Sequence, residues 1–264
     1  MDKPKQQQWR LVRVAARVTF FLLLLASLCL AYGFLIEPTW LAVRHVTLSK
    51  NPTVRLIFFT DLHYKGDRKY LKKVIAAINR LPGDVVCFGG DIGERADFIE
   101  EALQELHGLN KPLYGVPGNH DYWSGIDFQK VADGFKAMGG EWLCDTNIVI
   151  KGGTVEIVGR TGREIGIAAA PGNAIKKRIL LIHYHGWTNQ PGDRSYDVIL
   201  AGHNHGGQVR LPFIGPVLTL VDREDYRSGF FKTAAGPLYV STGVGTYLLP
   251  VRFFCRPEIV IVEL

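Results

Sequence analysis

Four short segments carry most of the side chains able to do chemistry: Asp61-Leu62-His63, Gly90-Asp91, Gly118-Asn119-His120-Asp121 and Gly202-His203-Asn204-His205. His183 lies between the last two. Neutral imidazoles, an amide oxygen and carboxylates, one of which can bridge, form the ligand set of two divalent metal ions. None of the segments contains cysteine. A lone histidine beside an apolar strand is ordinarily a buried ring satisfied by its neighbours. Five of the chain's eight histidines, His63, His120, His183, His203 and His205, belong to this set, and that concentration reverses the ordinary reading. His45 and His107 have no such company and read as surface or helix residues. His185 is open between a substrate contact, a group behind the ligands and a plain loop residue.

The elements that must position these residues are legible beside them. Leu56-Ile57-Phe58-Phe59, Val85-Val86-Cys87-Phe88, Leu180-Leu181-Ile182 and Val198-Ile199-Leu200-Ala201 each run directly or closely into a polar cluster. Short continuous apolar runs of this kind read as buried strands. Strand ends gathered at one edge of a sheet are where an α/β protein keeps its site. Tyr70 to Ile78 and Phe98 to Leu106 have apolar residues at helical spacing between strands, which favours βαβ units. From Trp142 the pattern shortens. Leu143 to Ile150, Thr154 to Arg160, Arg178 to His183, Val198 to Gly202, Gly207 to Leu211, Gly229 to Thr233, Pro237 to Thr242 and Glu258 to Leu264 read mainly as strands between Gly/Pro turns.

The order Asp-x-His, Gly-Asp, Gly-Asn-His-Asp, His and Gly-His-x-His, spanning Arg55 to His205, resembles the calcineurin-like metallophosphoesterase superfamily. The continuation Gly206 to Gly215 and the closing Arg256-Pro257-Glu258 resemble its membrane-anchored bacterial branch. That branch has a cell-envelope phosphoesterase type and a UDP-2,3-diacylglucosamine pyrophosphatase type. The resemblance implies an α/β fold, a four-layer αββα sandwich, with two metal ions. Asp61, His63, Asp91 and His205 would hold one ion, and Asp91, Asn119, His183 and His203 the other, with Asp91 as the bridge. A hydroxide held between the ions would be the nucleophile, its pKa lowered from roughly 15.7 towards about 7. His120 would serve the leaving group as acid or hydrogen-bond donor, with Asp121 orienting it. Where the family often has His-x-Pro, this chain has His183-Tyr184-His185. Manganese is the first expectation, with iron or zinc compatible with the same donors.

At the other end, Val18 to Ile36 contains no charged residue. As a helix its 19 positions would cover close to ~30 Å, the hydrocarbon core of a bilayer. A secretory signal is the competing reading, but the run exceeds the usual ~7–15 residue core and no small-x-small cleavage site follows. The expected organisation is a basic tail over 1–17, a transmembrane anchor over 18–36, a linker with the first strand over 37–54, and the catalytic domain over 55–264. The formal charge is +6, but seven Lys/Arg against Asp2 and Glu37 fall in residues 1–50, leaving 24 basic against 23 acidic beyond. The basic excess therefore sits beside the membrane, where it sets topology or meets anionic lipid, and no nucleic-acid partner is expected. Cys29, Cys87, Cys144 and Cys255 make neither a metal site nor a disulfide framework.

Three classes of function follow. The leading one is a phosphoester or pyrophosphate hydrolase anchored in the bacterial cytoplasmic membrane and acting on a lipid-linked substrate. The others are a nuclease of the same superfamily and a non-enzymatic anchored metal-binding module. The domain's near-neutral charge disfavours the nuclease, and His120 and Asp121 disfavour the module. Leu211 to Val221, with Tyr122-Trp123, reads either as loop completing the core or as an apolar wall or membrane-facing rim for an acyl-bearing substrate. Orientation pulls two ways. Five basic residues precede the anchor and Arg44, Lys50 and Arg55 follow it, modestly favouring an exported domain, whereas a UDP-linked substrate is met on the cytoplasmic face.

Overall fold

The computed structural model describes residues 3–162, 174–186, 195–217 and 227–264. The first sheet contains β1 (Ala42–Thr47), β2 (Arg55–Phe59), β3 (Val85–Phe88), β4 (Leu113–Gly115) and β5 (Glu141–Trp142). The second contains β6 (Asn147–Ile150), β7 (Val155–Arg160), β8 (Lys177–Ile182) and β9 (Val198–Ala201). After the small hairpin of β10 (Arg210–Leu211) and β11 (Gly215–Pro216) come β12 (Gly229–Thr233), β13 (Gly236–Val240) and β14 (Glu258–Glu263). The strand orders are β1-β14-β2-β3-β4-β5 and β12-β13-β9-β8-β7-β6. Strands β2 to β5 run parallel, as do β7, β8, β9 and β13.

Strands buried on both faces have no polar alternation, which is why β2, β3 and β9 are continuous apolar runs. Leu56, Phe58, Val85 and Cys87 face Ile157, Ile179, Leu181 and Leu200 across the inter-sheet core. Ile57, Phe59, Val86 and Phe88 face outward onto helices. Those helices are α2 (Arg68–Arg80), α3 (Ala96–Leu106) and α5 (Phe128–Ala137), separated in the chain by the short α4 (Asn119–Trp123). In α2 the Asp67 side chain caps the N-terminus by accepting from the Tyr70 amide at 3.0 Å, and Leu71, Val74, Ile75 and Ile78 form the buried stripe. The two expected helices thus lie within α2 and α3.

Three features depart from expectation. The expected strand over Leu143 to Ile150 shortens to β6, because Leu143 to Thr146 is the connection from β5, in the first sheet, to β6, in the second. The chain crosses between them at Asp145, whose φ is 53°. Only Arg210–Leu211 of the expected Gly207 to Leu211 strand is extended, because His205–Gly207 is a 3-10 turn. Of the four αββα layers, the described residues show three; among them no helix covers the outer face of the second sheet, where Val158, Leu180, Ile199 and Leu238 are buried with Tyr196 and Ala235.

The N-terminal helix α1 (Lys3–Ala31) continues through a π-helical turn at Tyr32–Ile36 and a 3-10 turn at Glu37–Thr39. It is long and apolar enough to cross a membrane, and only 6% of its apolar window is buried, so it is not a core helix. Its end is built into the domain. Glu37 is fully buried, and its carboxylate accepts the Phe254 amide at 2.9 Å and the Cys255 amide. The Gly33 carbonyl accepts the Arg252 amide at 3.0 Å, and the Tyr32 and Phe253 rings meet edge to face at 5.9 Å.

Arg252, fully buried, donates to the carbonyls of Thr242, Gly243, Gly245 and Cys255. The loop it gathers supports the first metal-binding segment, since Val244 donates to the Thr60 carbonyl and Gly245 to that of Asp61. Replacing Arg252 by Leu strands four buried carbonyls. The variant is expected to lose about 3 kcal/mol or more of stability, read from urea unfolding followed by tryptophan fluorescence.

Candidate metal centre

Each cluster follows the C-terminal end of a parallel strand. Asp61 follows β2, Asp91 β3, Asn119 β4, His183 β8 and His203 β9, so the edges of both sheets deliver ligands to one place. Five of these residues, Asp61, His63, Asp91, His203 and His205, have positive φ between 42° and 75°. Non-glycine residues rarely adopt that conformation, and its concentration marks backbone held in place by its surroundings. Glycine supplies what they cannot: a Cβ on Gly118 would sit 2.1 Å from Asp91 Oδ1.

The side chains form two clusters that share Asp91. Asp61, His63 and His205 present ligand atoms to one another, as do Asp91, His183 and His203, and a third group of His63, Asp91 and His120 links His120 to both. Asp91 Oδ2 lies 3.4 Å from His63 Nε2 and 3.3 Å from His183 Nε2, so one carboxylate oxygen faces both. Asn119 Oδ1 joins the second cluster, 3.1 Å from His183 Nε2.

The surrounding hydrogen bonds decide whether a cation fits. His183 Nδ1 donates to the Gly89 carbonyl at 2.8 Å, so in the neutral ring the lone pair is on Nε2. That lone pair faces the Asn119 oxygen, the Asp91 carboxylate and, at 3.0 Å, His203 Nδ1. His63 Nδ1 likewise engages Glu94 Oε1 at 2.7 Å, leaving Nε2 to face His205 Nε2 at 2.9 Å. Imidazole nitrogens, an amide oxygen and carboxylates converging in this way fit a divalent ion, and the two clusters fit two. Without one, a proton takes the role: against burial, the Asp91 carboxylate lifts His183 to about 9. Burial and the His183 charge pull His203 down to about 3.

His120 also lies here, but its partner is not the expected one. Its Nδ1 meets Glu94 Oε2 at 2.8 Å, while the other oxygen of the same carboxylate holds His63. Burial disfavours the charge on Glu94, yet the hydrogen bonds from His120 and His63 hold its pKa well below the usual carboxylate range. In return, and again against burial, Glu94 raises His120 above the ordinary imidazole value. Asp121, expected to orient His120, instead accepts the amides of Asp91, Ile92 and Gly118, each at 2.8 Å. It shapes the backbone under the site and does not touch the His120 ring through these bonds. Glu94 stands three residues after Asp91; that short spacing was the signal available in the sequence.

His185 is fully buried with Nε2 at 3.2 Å from Asn204 Nδ2, behind the turn that carries His203 and His205. His45 and His107 are exposed and remote from the clusters. A cavity of about 260 Å³ opens onto the centre, bounded by His120, Trp123 and Tyr247. Beside it lies a second, of about 320 Å³, lined by Tyr122, Trp123, Thr161 and Tyr184.

Residues 54–207 match the calcineurin-like phosphoesterase family, and the chain belongs to it. It is a metal-dependent phosphoesterase. Among its relatives, the uncharacterized metallophosphoesterase YkuE of Bacillus subtilis (strain 168) is 30% identical over 226 residues, covering 80% of this chain and 78% of that protein. Phosphodiesterase YaeI of Escherichia coli (strain K12) is 27% identical, covering 86% of this chain and 90% of that one. An uncharacterized metallophosphoesterase of Helicobacter pylori (strain J99 / ATCC 700824) is 28% identical over 80% of this chain, which spans 60% of that longer protein.

Two outcomes follow. Asp91→Asn removes the charge both clusters share, so metal content by elemental analysis and hydrolytic activity are expected to fall together. Because a cation must displace the proton on His183, metal binding should tighten as pH rises towards 9, by about tenfold per unit for each proton released, measurable by competition with a chelator.

Proposed function

We propose that the chain is a membrane-anchored dinuclear phosphoesterase or pyrophosphatase acting on a lipid-linked substrate, with UDP-2,3-diacylglucosamine as the named compound. The observation that carries this reading is the tie between α1 and the metal-bearing loops. Glu37 holds the Phe254 and Cys255 amides, and Cys255 Sγ lies 3.3 Å from the His205 carbonyl. One residue, Cys255, therefore separates the end of a membrane-length helix from a candidate metal ligand. The aromatic cavity beside the second cluster offers apolar surface to a nucleoside or acyl group.

In this reading Asp61, His63, Asp91 and His205 hold one ion, and Asp91, Asn119, His183 and His203 the other. When bound, such ions neutralise phosphate oxygens and acidify water between them. The protein's own part in the chemistry falls to His120. With its Nδ1 fixed on Glu94, its other edge faces the cavity between Tyr247 and Trp123, whose rings lie 5.1 and 4.8 Å away. Protonated because Glu94 favours its charged form, it donates to the departing oxygen. Asp121 acts by holding the Asp91 and Gly118 amides, which fixes the bridge.

The second reading is an exported cell-envelope phosphodiesterase. It is favoured by the five basic residues before the apolar helix and supported in its reaction class by the name of the Escherichia coli relative. Incubating the full chain in detergent with UDP-2,3-diacylglucosamine separates the two: release of UMP is expected, and a chain that cleaves only simple phosphodiesters excludes the named substrate. Reporter fusions at the C-terminus fix the side of the domain.

His120→Ala is expected to keep both metals while turnover falls roughly 10²–10⁴-fold, less for substrates with good leaving groups. Parallel loss of metal would instead put His120 among the ligands. Glu94→Gln lowers the His120 pKa, so the fall of activity on the alkaline side should begin at lower pH than in the parent enzyme.

A further inference from the structure

Around the end of α1 the molecule leaves large apolar side chains uncovered. Leu248, Phe254 and Phe213 are exposed, and each also has a positive φ, of 57°, 50° and 66°. Turns in water give such positions to Gly or Asn, because a Cβ is disfavoured there and an apolar side chain loses on hydration as well. Three bulky apolar residues in that conformation, all on exposed loops, call for a surrounding that is not water.

They share one hydrogen-bonded frame. Leu248 and Leu249 directly follow Tyr247, whose ring lies 5.8 Å from that of His63 in the metal centre. Phe254 follows Phe253, which packs on Tyr32 at the end of α1. The Phe253 carbonyl accepts the Arg210 amide at 2.8 Å, at the base of the hairpin whose tip is Phe213-Ile214, with Ile214 73% exposed. Trp40, just past the helix, is half exposed with the Arg256 guanidinium 4.2 Å over its ring. Tryptophan is the residue enriched at membrane–water boundaries.

We infer that Leu248-Leu249, Phe254 and the Phe213-Ile214 tip enter the lipid at the foot of α1, forming a collar that seats the mouth of the metal centre on the bilayer surface. The occupant is the lipid surface that α1 itself enters, because the collar is continuous with the helix through Gly33, Tyr32 and Glu37. The inference rests on reading α1 as an anchor. It narrows the substrate class to amphiphilic phosphoesters whose phosphate lies at the headgroup level, reached without extraction into water. A cavity of about 270 Å³ lined by Phe34, Pro38, His63, Val244 and Pro250 already joins the helix end to the centre.

The test uses the full chain in phosphatidylcholine–phosphatidylglycerol vesicles, with Cys29 and Cys144 replaced by serine and a nitroxide placed in turn at Leu248→Cys, Ile214→Cys, Leu23→Cys and Gln104→Cys. Collisions with oxygen, which concentrates in lipid, are compared with collisions with a water-soluble nickel chelate. The logarithm of the oxygen-to-chelate ratio is expected to be positive at 23, 248 and 214 and negative at 104. A positive value at 23 with negative values at both 248 and 214 overturns the collar while leaving the anchor. A negative value at 23 removes the anchor and the inference with it. Having two collar sites guards against misfolding of either variant.

Discussion

Everything in this molecule turns on holding acceptors together where nothing but positive charge reconciles them. Imidazole nitrogens, the Asn119 oxygen and the carboxylates of Asp61 and Asp91 converge, the ligand atoms of each cluster lying within 4.8 Å of one another. Their mutual repulsion in a buried place would splay the loops apart. The two sheets resist it by presenting strand ends that cannot separate without opening the apolar layer between Phe58, Cys87, Leu181 and Leu200. The cost of convergence is thus borne by hydrophobic burial some distance away, and what remains is a standing demand for cations.

Three buried polar side chains around the centre follow a common rule: their hydrogen bonds go to the main chain. Asp121 takes three amides, Glu37 two, and Arg252 four carbonyls. Each converts an irregular loop, which has no ladder to satisfy its backbone, into a fixed one. Such bonds to charged partners each contribute about 1.5–3 kcal/mol. They let left-handed backbone persist at five adjacent ligand positions without regular secondary structure to enforce it.

Much of the candidate site is legible in the chain because its polar segments lie just after buried strands, and both signals are local in sequence. The groups that hold those residues were less visible. Arg252 and Glu37 act on backbone atoms that the fold alone brings near, over 215 residues apart in the case of Glu37 and Cys255. Adjacency to His120 points to Asp121 as its partner in the sequence, whereas neighbouring residues on a helix turn their side chains apart and Glu94 reaches His120 from another segment. The crossing between sheets at Asp145 is hidden for a related reason: Asp145, Thr146 and Asn147 mark a break before Ile148, but nothing local in sequence says that the strands on its two sides join different sheets. The stretch from Leu211 is an exposed hairpin up to Val217 and does not complete the core; Leu218 to Val221 lie outside the described residues.

The junction at Glu37 contains no flexible linker. Helix, π-turn and 3-10 turn run unbroken into the clamp on residues 252–255. A membrane helix tilts to match the thickness of the bilayer around it. Were α1 embedded, the hydrogen bonds at Glu37 and Gly33 would pass that tilt on to the globular part, as a mast carries its masthead. The angle and height at which the catalytic mouth meets its surroundings would then become a property of the membrane's lipid composition, and two bilayers of unequal thickness would present the same enzyme in different attitudes.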